Sequence, residues 1–101
     1  MMDRQALYEL LAKIPRGTVA TYGELAEALG NKKWARAVGN ALHVNPDGDK
    51  YPCYRVVSSK GYLSTSYAFG GLEGQKRRLR EDGVNVDGDR VDLEIYGFKF
   101  T

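Results

Sequence analysis

A small, mainly α domain with short strands, built as a winged helix-turn-helix, is what this sequence predicts. Two short amphipathic segments, one opening at Thr21 and one following Asn31-Lys32-Lys33, are joined by a tight turn that contains Gly30, as in a helix-turn-helix. Strand character is confined to short runs, with period-two alternation only in the tail after Gly83. A chain of 101 residues, 43% hydrophobic and 28% charged, supports one core of modest size and one domain spanning residues 1–101.

The elements follow in order. From Asp3 to Lys13, Ala6, Leu7, Leu10, Leu11 and Ile14 recur at helical spacing, with Asp3 as N-cap. Pro15-Arg16-Gly17 stops that helix, and Thr18-Val19-Ala20 is an extended link. Thr21 followed by Glu24 is a capping box: each side chain satisfies the other residue's amide. Leu25, Ala26 and Leu29 give this second helix its apolar face and Gly30 its stop. In the third helix Ala35, Val38 and Leu42 turn inward. Asn45 to Asp49 is a turn, Tyr51 to Val57 is mostly extended, and Tyr62-Leu63 returns as a short strand after the turn Ser58 to Gly61. Ser64 to Gly71 is a loop, and a fourth helix runs from Leu72 to Asp82, closed by Gly83. Its basic run, Lys76-Arg77-Arg78-Arg80, is expected to be a solvated face. In the tail, Val84 and Val86, then Val91, Leu93 and Ile95, alternate about a hairpin signal at Asp87-Gly88, and Tyr96, Phe98 and Phe100 pack the tail onto the domain.

Composition excludes several classes. A single cysteine forms no internal disulfide, and no cysteine–histidine cluster suggests zinc. No apolar run is long enough to span a membrane and no signal-peptide pattern is present, so a reducing, cytoplasmic setting is expected. The net charge is only +2 with a pI near 8.7, so contact with nucleic acid must come from local placement of charge. The third helix offers such a placement. Lys33, Arg36, Asn40 and His43 fall on one stripe, and such groups meet phosphates and base edges. The plain alternative is a solvated helix face. Tyr51-Pro52-Cys53-Tyr54-Arg55-Val56-Val57 holds the lone thiol, which is either a buried structural residue or a nucleophile.

Four segments in this order carry a resemblance: 14–24 (IPRGTVATYGE), 35–41 (ARAVGNA), Asn45-Pro46, and 52–57 (PCYRVV). Together they resemble the C-terminal, DNA-binding domain of the methylated-DNA–protein-cysteine methyltransferases, which repair O6-alkylguanine. The tail from Gly83 is similar to that of the small alkyltransferase-like proteins, which bind alkylated guanine without repairing it. The resemblance implies a fold of the alkyltransferase C-terminal type, a monomer, and no cofactor. Its implied partner is double-stranded DNA containing alkylated guanine, read from the minor groove. Cys53 would take the alkyl group irreversibly once the base has left the stack. Arg36 would fill the vacated space, and Tyr22 would crowd the target phosphate and contact the flipped base. Thr21, Ala35 and Asn40 complete the implied DNA-binding set. Asn45 would brace the cysteine loop. Val56 and the Cys53 backbone would accept from the base's amino group, and Tyr67 would cap the pocket.

The chain departs from that pattern at two linked positions. The family's histidine after the cysteine relays a proton and is held by a glutamate. Here Tyr54 follows Cys53, and Asp82 takes the glutamate's place. A phenol is a poor proton acceptor at neutral pH, although it can hold a water. The family's N-terminal domain has no counterpart here. Two readings stand: alkyl transfer to Cys53, or non-catalytic lesion binding that recruits excision-repair proteins. Retention of cysteine where the non-repairing relatives carry tryptophan favours transfer; Tyr54, the short chain and the tail favour binding.

Overall fold

The computed structural model describes residues 2–65 and 67–100. Five helices are present among them: α1 (Arg4–Ala12), α2 (Tyr22–Ala28), α3 (Ala35–His43), α4 (Gly71–Glu81) and α5 (Leu93–Tyr96). Two short strands, β1 (Ala20–Thr21) and β2 (Val56–Val57), pair in parallel, with Ala20 opposite Val56 and Thr21 opposite Val57. The mainly helical class with short strands agrees with expectation.

The local signals act where the sequence places them. The Asp3 carboxylate accepts from the amides of Gln5 and Ala6 and starts α1. Leu7, Leu11 and Ile14 then fall on one side and are fully buried. At about 1.5–3 kcal/mol for each side chain of that size, this face anchors the helix. The Thr21–Glu24 box is complete: the Glu24 amide donates to Thr21 Oγ1 and the Thr21 amide to Glu24 Oε1. Gly30 and Gly83, expected to end helices, both adopt positive φ. One turn of 3-10 helix (Lys32–Trp34) leads from α2 into α3, and Val38, Ala41 and Leu42 bury the inner face of α3.

Four expectations are corrected. The cysteine segment is not mostly extended: Cys53–Arg55 is a turn of 3-10 helix, and only Val56 and Val57 continue as strand. Here tertiary hydrogen bonds override strand propensity, because the Arg55 guanidinium donates to the Ile14 carbonyl and to Asp82 and pulls the chain into a turn. The tail is not a hairpin of two alternating strands. Asp87 and Arg90 exchange backbone hydrogen bonds around the expected turn, but Asp92 then caps α5 by accepting from the Glu94 amide. Ile95, read as a strand residue, is therefore 69% exposed on that helix. Tyr62 forms a single antiparallel bridge with Arg90 in place of a returning strand. The tail crosses Val19 instead, with the Val19 amide donating to Tyr96 and the Phe98 amide to Val19. Tyr96, Phe98 and Phe100 pack against the core as expected. The fourth correction is confined to Arg78 of the basic run, which turns inward over the Tyr54 ring, while Arg77 and Arg80 are exposed as expected.

Candidate functional site

A cavity of about 590 Å³ opens beside Cys53, within the size range of ligand pockets. Tyr22 at the start of α2 forms one wall, and Gly39, Asn40 and His43 of α3 form the next. Ser64 and Tyr67 close it from the loop before α4, and Gln75 of α4 contributes from below.

Cys53 is only 5% exposed, yet it is one of the residues that line this space. Burial pushes the thiol above its ordinary range, while a hydrogen bond from Asn45, the backbone amide and the Arg78 charge work the other way. Asn45 is itself fixed: its Nδ2 donates to the Tyr51 carbonyl at 2.7 Å and its Oδ1 accepts from the Asp47 amide. The Tyr51 ring stacks on Tyr8, whose hydroxyl donates to the Ala41 carbonyl. Helices α1 and α3 and the cysteine turn are thereby tied into one frame.

Tyr54 points away from this chemistry. Its hydroxyl donates to Asp82 Oδ1 at 3.1 Å, and its ring lies under the guanidinium of Arg78 at 4.4 Å and beside that of Arg55 at 5.2 Å. Burial, then the Asp82 carboxylate, push the phenol upward, so it is a proton donor held on Asp82. Asp82 is further engaged by Arg55 Nε at 2.8 Å and Arg16 Nε at 3.6 Å. Tyr54 and Asp82 thus meet as a pair, but the pair offers Cys53 no base.

The remaining expected residues divide. Tyr22 lines the cavity, its hydroxyl hydrogen-bonded to Ser64, and burial raises its pKa. Tyr67 lines it too. The Tyr67 hydroxyl is buried with no partner among the described residues, and burial pushes its pKa up to about 12. Asn40 stands at the rim, exposed, while Arg36 lies exposed in the first turn of α3, outside the cavity lining. Lys33, Arg36, Asn40 and His43 are all exposed, so their stripe faces outward. Ala35 is half-buried beside Arg36, and Thr21 is buried as the α2 cap. Val56 is placed differently from expectation. It sits in β2, fully buried, is not among the lining residues, and its carbonyl accepts from Gln75 Nε2 at 2.9 Å.

Gln75 is the residue that sequence reading missed. Its side chain is fully buried; Nε2 donates to the carbonyls of Tyr54 and Val56, and Oε1 accepts from the Ser64 amide. It joins α4 to both sides of the cavity. A lone glutamine amid Gly74, Lys76, Arg77 and Arg78 reads as surface, and only its register with Leu72 and Leu79 hinted at an inward face.

Residues 3–84 match the family described as "6-O-methylguanine DNA methyltransferase, DNA binding domain". The chain belongs to that family. It is 39% identical over 80 residues to a "DNA base-flipping protein" of Vibrio parahaemolyticus, covering 79% of this chain and 78% of that one. Against a "Bifunctional methyltransferase/endonuclease" of Picrophilus torridus it is 48% identical over 92 residues, 91% of this chain but only 30% of that protein's length. Among solved structures, Schizosaccharomyces pombe Atl1 in complex with damaged DNA containing O6-carboxymethylguanine superposes with a TM-score of 0.84 at 34% identity, over 95% of this chain and 94% of that one. An O6-methylguanine methyltransferase of Mycobacterium tuberculosis gives 0.70 at 34% identity, over 78% of this chain and 47% of that one.

Proposed function

We propose that this protein is a lesion-binding DNA repair protein: it turns O6-alkylguanine out of double-stranded DNA and holds the base in the cavity above Cys53. The observation that carries the reading is the placement of that cavity directly behind the exposed stripe of α3, with Asn40 and His43 on both. Chemistry or recognition at O6 needs the base outside the stack, and the cavity receives it there. Helix α3 carries small residues at Ala35, Ala37 and Gly39, which allow close approach to a minor groove, and Lys33 and Arg36 supply cations for phosphate. Arg36, exposed on the same stripe one turn before Asn40, fills the gap left in the stack. Tyr22 and Tyr67 flank the base. The similarity to a base-flipping protein and to a structure holding an O6-alkylated guanine supports this reading, and excision-repair proteins are the partners it implies.

The test is binding of duplexes that differ only in O6-methylguanine versus guanine, followed by fluorescence anisotropy. Preference for the lesion, weakened roughly tenfold or more by Arg36→Ala, is expected. Equal affinity for both duplexes, or an Arg36→Ala variant that binds the lesion as tightly as the parent, refutes it.

A second reading, alkyl transfer, is favoured by one observation: Cys53 is among the residues that line the cavity. In that step the thiolate attacks the alkyl carbon, an S–C bond forms, the C–O6 bond breaks, and its electron pair returns to the guanine. The thiol proton ends on the guanine ring, which regains its N1–H. Tyr54, held as a donor on Asp82, does not assist ionisation, so the first reading is preferred. Intact mass after incubation with O6-methylguanine DNA decides: one methyl on Cys53, absent in Cys53→Ala, establishes transfer; lesion binding with unchanged mass excludes it.

A further inference from the structure

We propose that the tail from Gly97 to Phe100 is a strap that positions Tyr22 in the cavity wall, with Lys99 as its fastening side chain. The inference rests on the reading in which Tyr22 flanks a flipped base.

The strap lies beyond residues 3–84, the part of the chain matched to the family. It holds the strand that delivers Tyr22. Strand β1 ends at Thr21, and Tyr22 follows as the first residue of α2. Along one edge β1 pairs with β2, which leaves the cysteine turn, through Ala20 opposite Val56 and Thr21 opposite Val57. Val19, one residue earlier, gives both of its backbone groups to the tail. Its amide donates to the Tyr96 carbonyl and its carbonyl accepts from the Phe98 amide, each at 2.8 Å. Successive residues of an extended chain present their backbone groups to opposite edges, so β2 and the tail clamp this strand from its two sides. A parallel pair of two residues is marginal alone, and the tail adds the hydrogen bonds it lacks.

Side chains set the register of the strap. Lys99 Nζ donates to Glu24 Oε2 at 2.6 Å, and Glu24 Oε1 accepts from the Thr21 amide at 2.9 Å. Thr21 and Glu24 flank Tyr22 in the chain, so one carboxylate ties the tail to the cap that holds Tyr22. The Lys99 side chain is 75% exposed, so this pair adds little stability and acts by fixing geometry. Lys99 and Phe100 line a cleft of about 390 Å³ with Glu24, Glu27 and Ala28 of α2. Phe98 meets Phe100 edge-on, and both pack against the core. Where the strap leaves α5 there is no room for a side chain: a Cβ on Gly97 would lie 2.5 Å from the Leu93 carbonyl oxygen.

The experiment uses the full chain with 3-fluorotyrosine in place of tyrosine. Tyr22→Phe and Tyr8→Phe identify the two fluorine resonances by their absence. Gly97→Ala lifts the strap by steric conflict, and Lys99→Gln unfastens it. Both should displace the native Tyr22 resonance and leave that of Tyr8, on α1, in place. A change that only destabilises the fold would add an unfolded signal without moving the native one. Lys99→Arg should restore the parent spectrum. In fluorescence anisotropy, both variants should bind an O6-methylguanine duplex roughly three- to tenfold more weakly and bind the undamaged duplex as the parent does. A Tyr22 resonance unmoved in Lys99→Gln overturns the assignment of Lys99, and one unmoved in Gly97→Ala overturns the strap. Where the parent prefers the lesion, an equal loss on both duplexes in Lys99→Gln makes Lys99 a phosphate contact and also overturns its assignment. If the resonance moves while the parent shows no preference for the lesion, the lesion-binding reading fails and the strap stands.

Discussion

Replacing Gln75 by leucine tests whether one buried side chain holds the cavity together. The amide makes three hydrogen bonds, at 2.8, 2.9 and 3.0 Å, to the Ser64 amide and to the carbonyls of Val56 and Tyr54. Leucine has a similar volume, so no large void opens, and its better transfer energy returns about 1 kcal/mol. Against that, the Ser64 N–H loses its acceptor, at a cost of about 1–3 kcal/mol, and two carbonyls each lose a donor at a smaller cost. The net loss is about 2–4 kcal/mol. A domain of this size is stable by roughly 5–15 kcal/mol in total. The melting temperature should therefore fall by about 10–20 °C. Because the lost bonds join α4 to the cysteine turn and to the capping loop, Cys53 should also become more accessible to a bulky thiol reagent below the melting transition. Circular dichroism melts and timed labelling read the two effects. A loss under about 1 kcal/mol with unchanged labelling would show that Gln75 is a packing residue and that the cavity is held elsewhere.

Other consequences concern single positions. Gly74→Ala gains up to about 1 kcal/mol in helix propensity, but the new Cβ would sit 2.6 Å from the Phe69 carbonyl oxygen. Backbone must shift, so a net loss of roughly 1–3 kcal/mol in urea titrations is expected, and a stabilised variant would show that the loop before α4 yields freely. For Glu24, burial alone would raise the carboxyl pKa, but the bonds from Lys99 and Thr21 outweigh it and leave the pKa lowered. Such a group binds a proton less readily folded than unfolded. Its contribution is present above the ordinary carboxylate range and is lost as pH falls through the lowered folded value. Glu24→Gln should thus be less stable than the parent at neutral pH, with the gap closing in acid; a gap that widens in acid contradicts the sign. Tyr54→His places an imidazole where Asp82 can orient it, so any methyl transfer to Cys53 should accelerate; an unchanged rate would mean that ionisation is controlled elsewhere.

Tyr54 bears on the choice between the two proposed readings. The cavity, the thiol and the outward stripe of α3 occur together whether or not transfer follows. What differs is how a proton leaves Cys53. A phenol pushed upward by burial and bound to a carboxylate keeps its own proton. At the thiol itself burial is opposed first by the hydrogen bond from Asn45, then by the backbone amide and the Arg78 charge, none of which is a base beside the cysteine.

The sequence by itself determined the first four α-helices and their end signals. Asp3, the Thr21–Glu24 box, Gly30 and Gly83 act through contacts a few residues away, and such contacts are written locally. It also determined which stripe of α3 faces out, because helical period alone sorts Val38 and Leu42 from Arg36 and Asn40. Only the tertiary structure decided the rest. The bend at Cys53 depends on Arg55 reaching Ile14 and Asp82, residues distant in the chain. Residues 93–96 of the tail became a helix because Asp92 caps it and, among the described residues, no long strand lies beside it. Gln75 and Arg78 look like surface residues in a basic run until α4 is docked. Docking turns one onto the carbonyls of the cysteine turn and the other onto the Tyr54 ring. Hydrogen bonds and charges that act across the fold have no periodicity, so the groups that shape the pocket were legible only once the elements were packed.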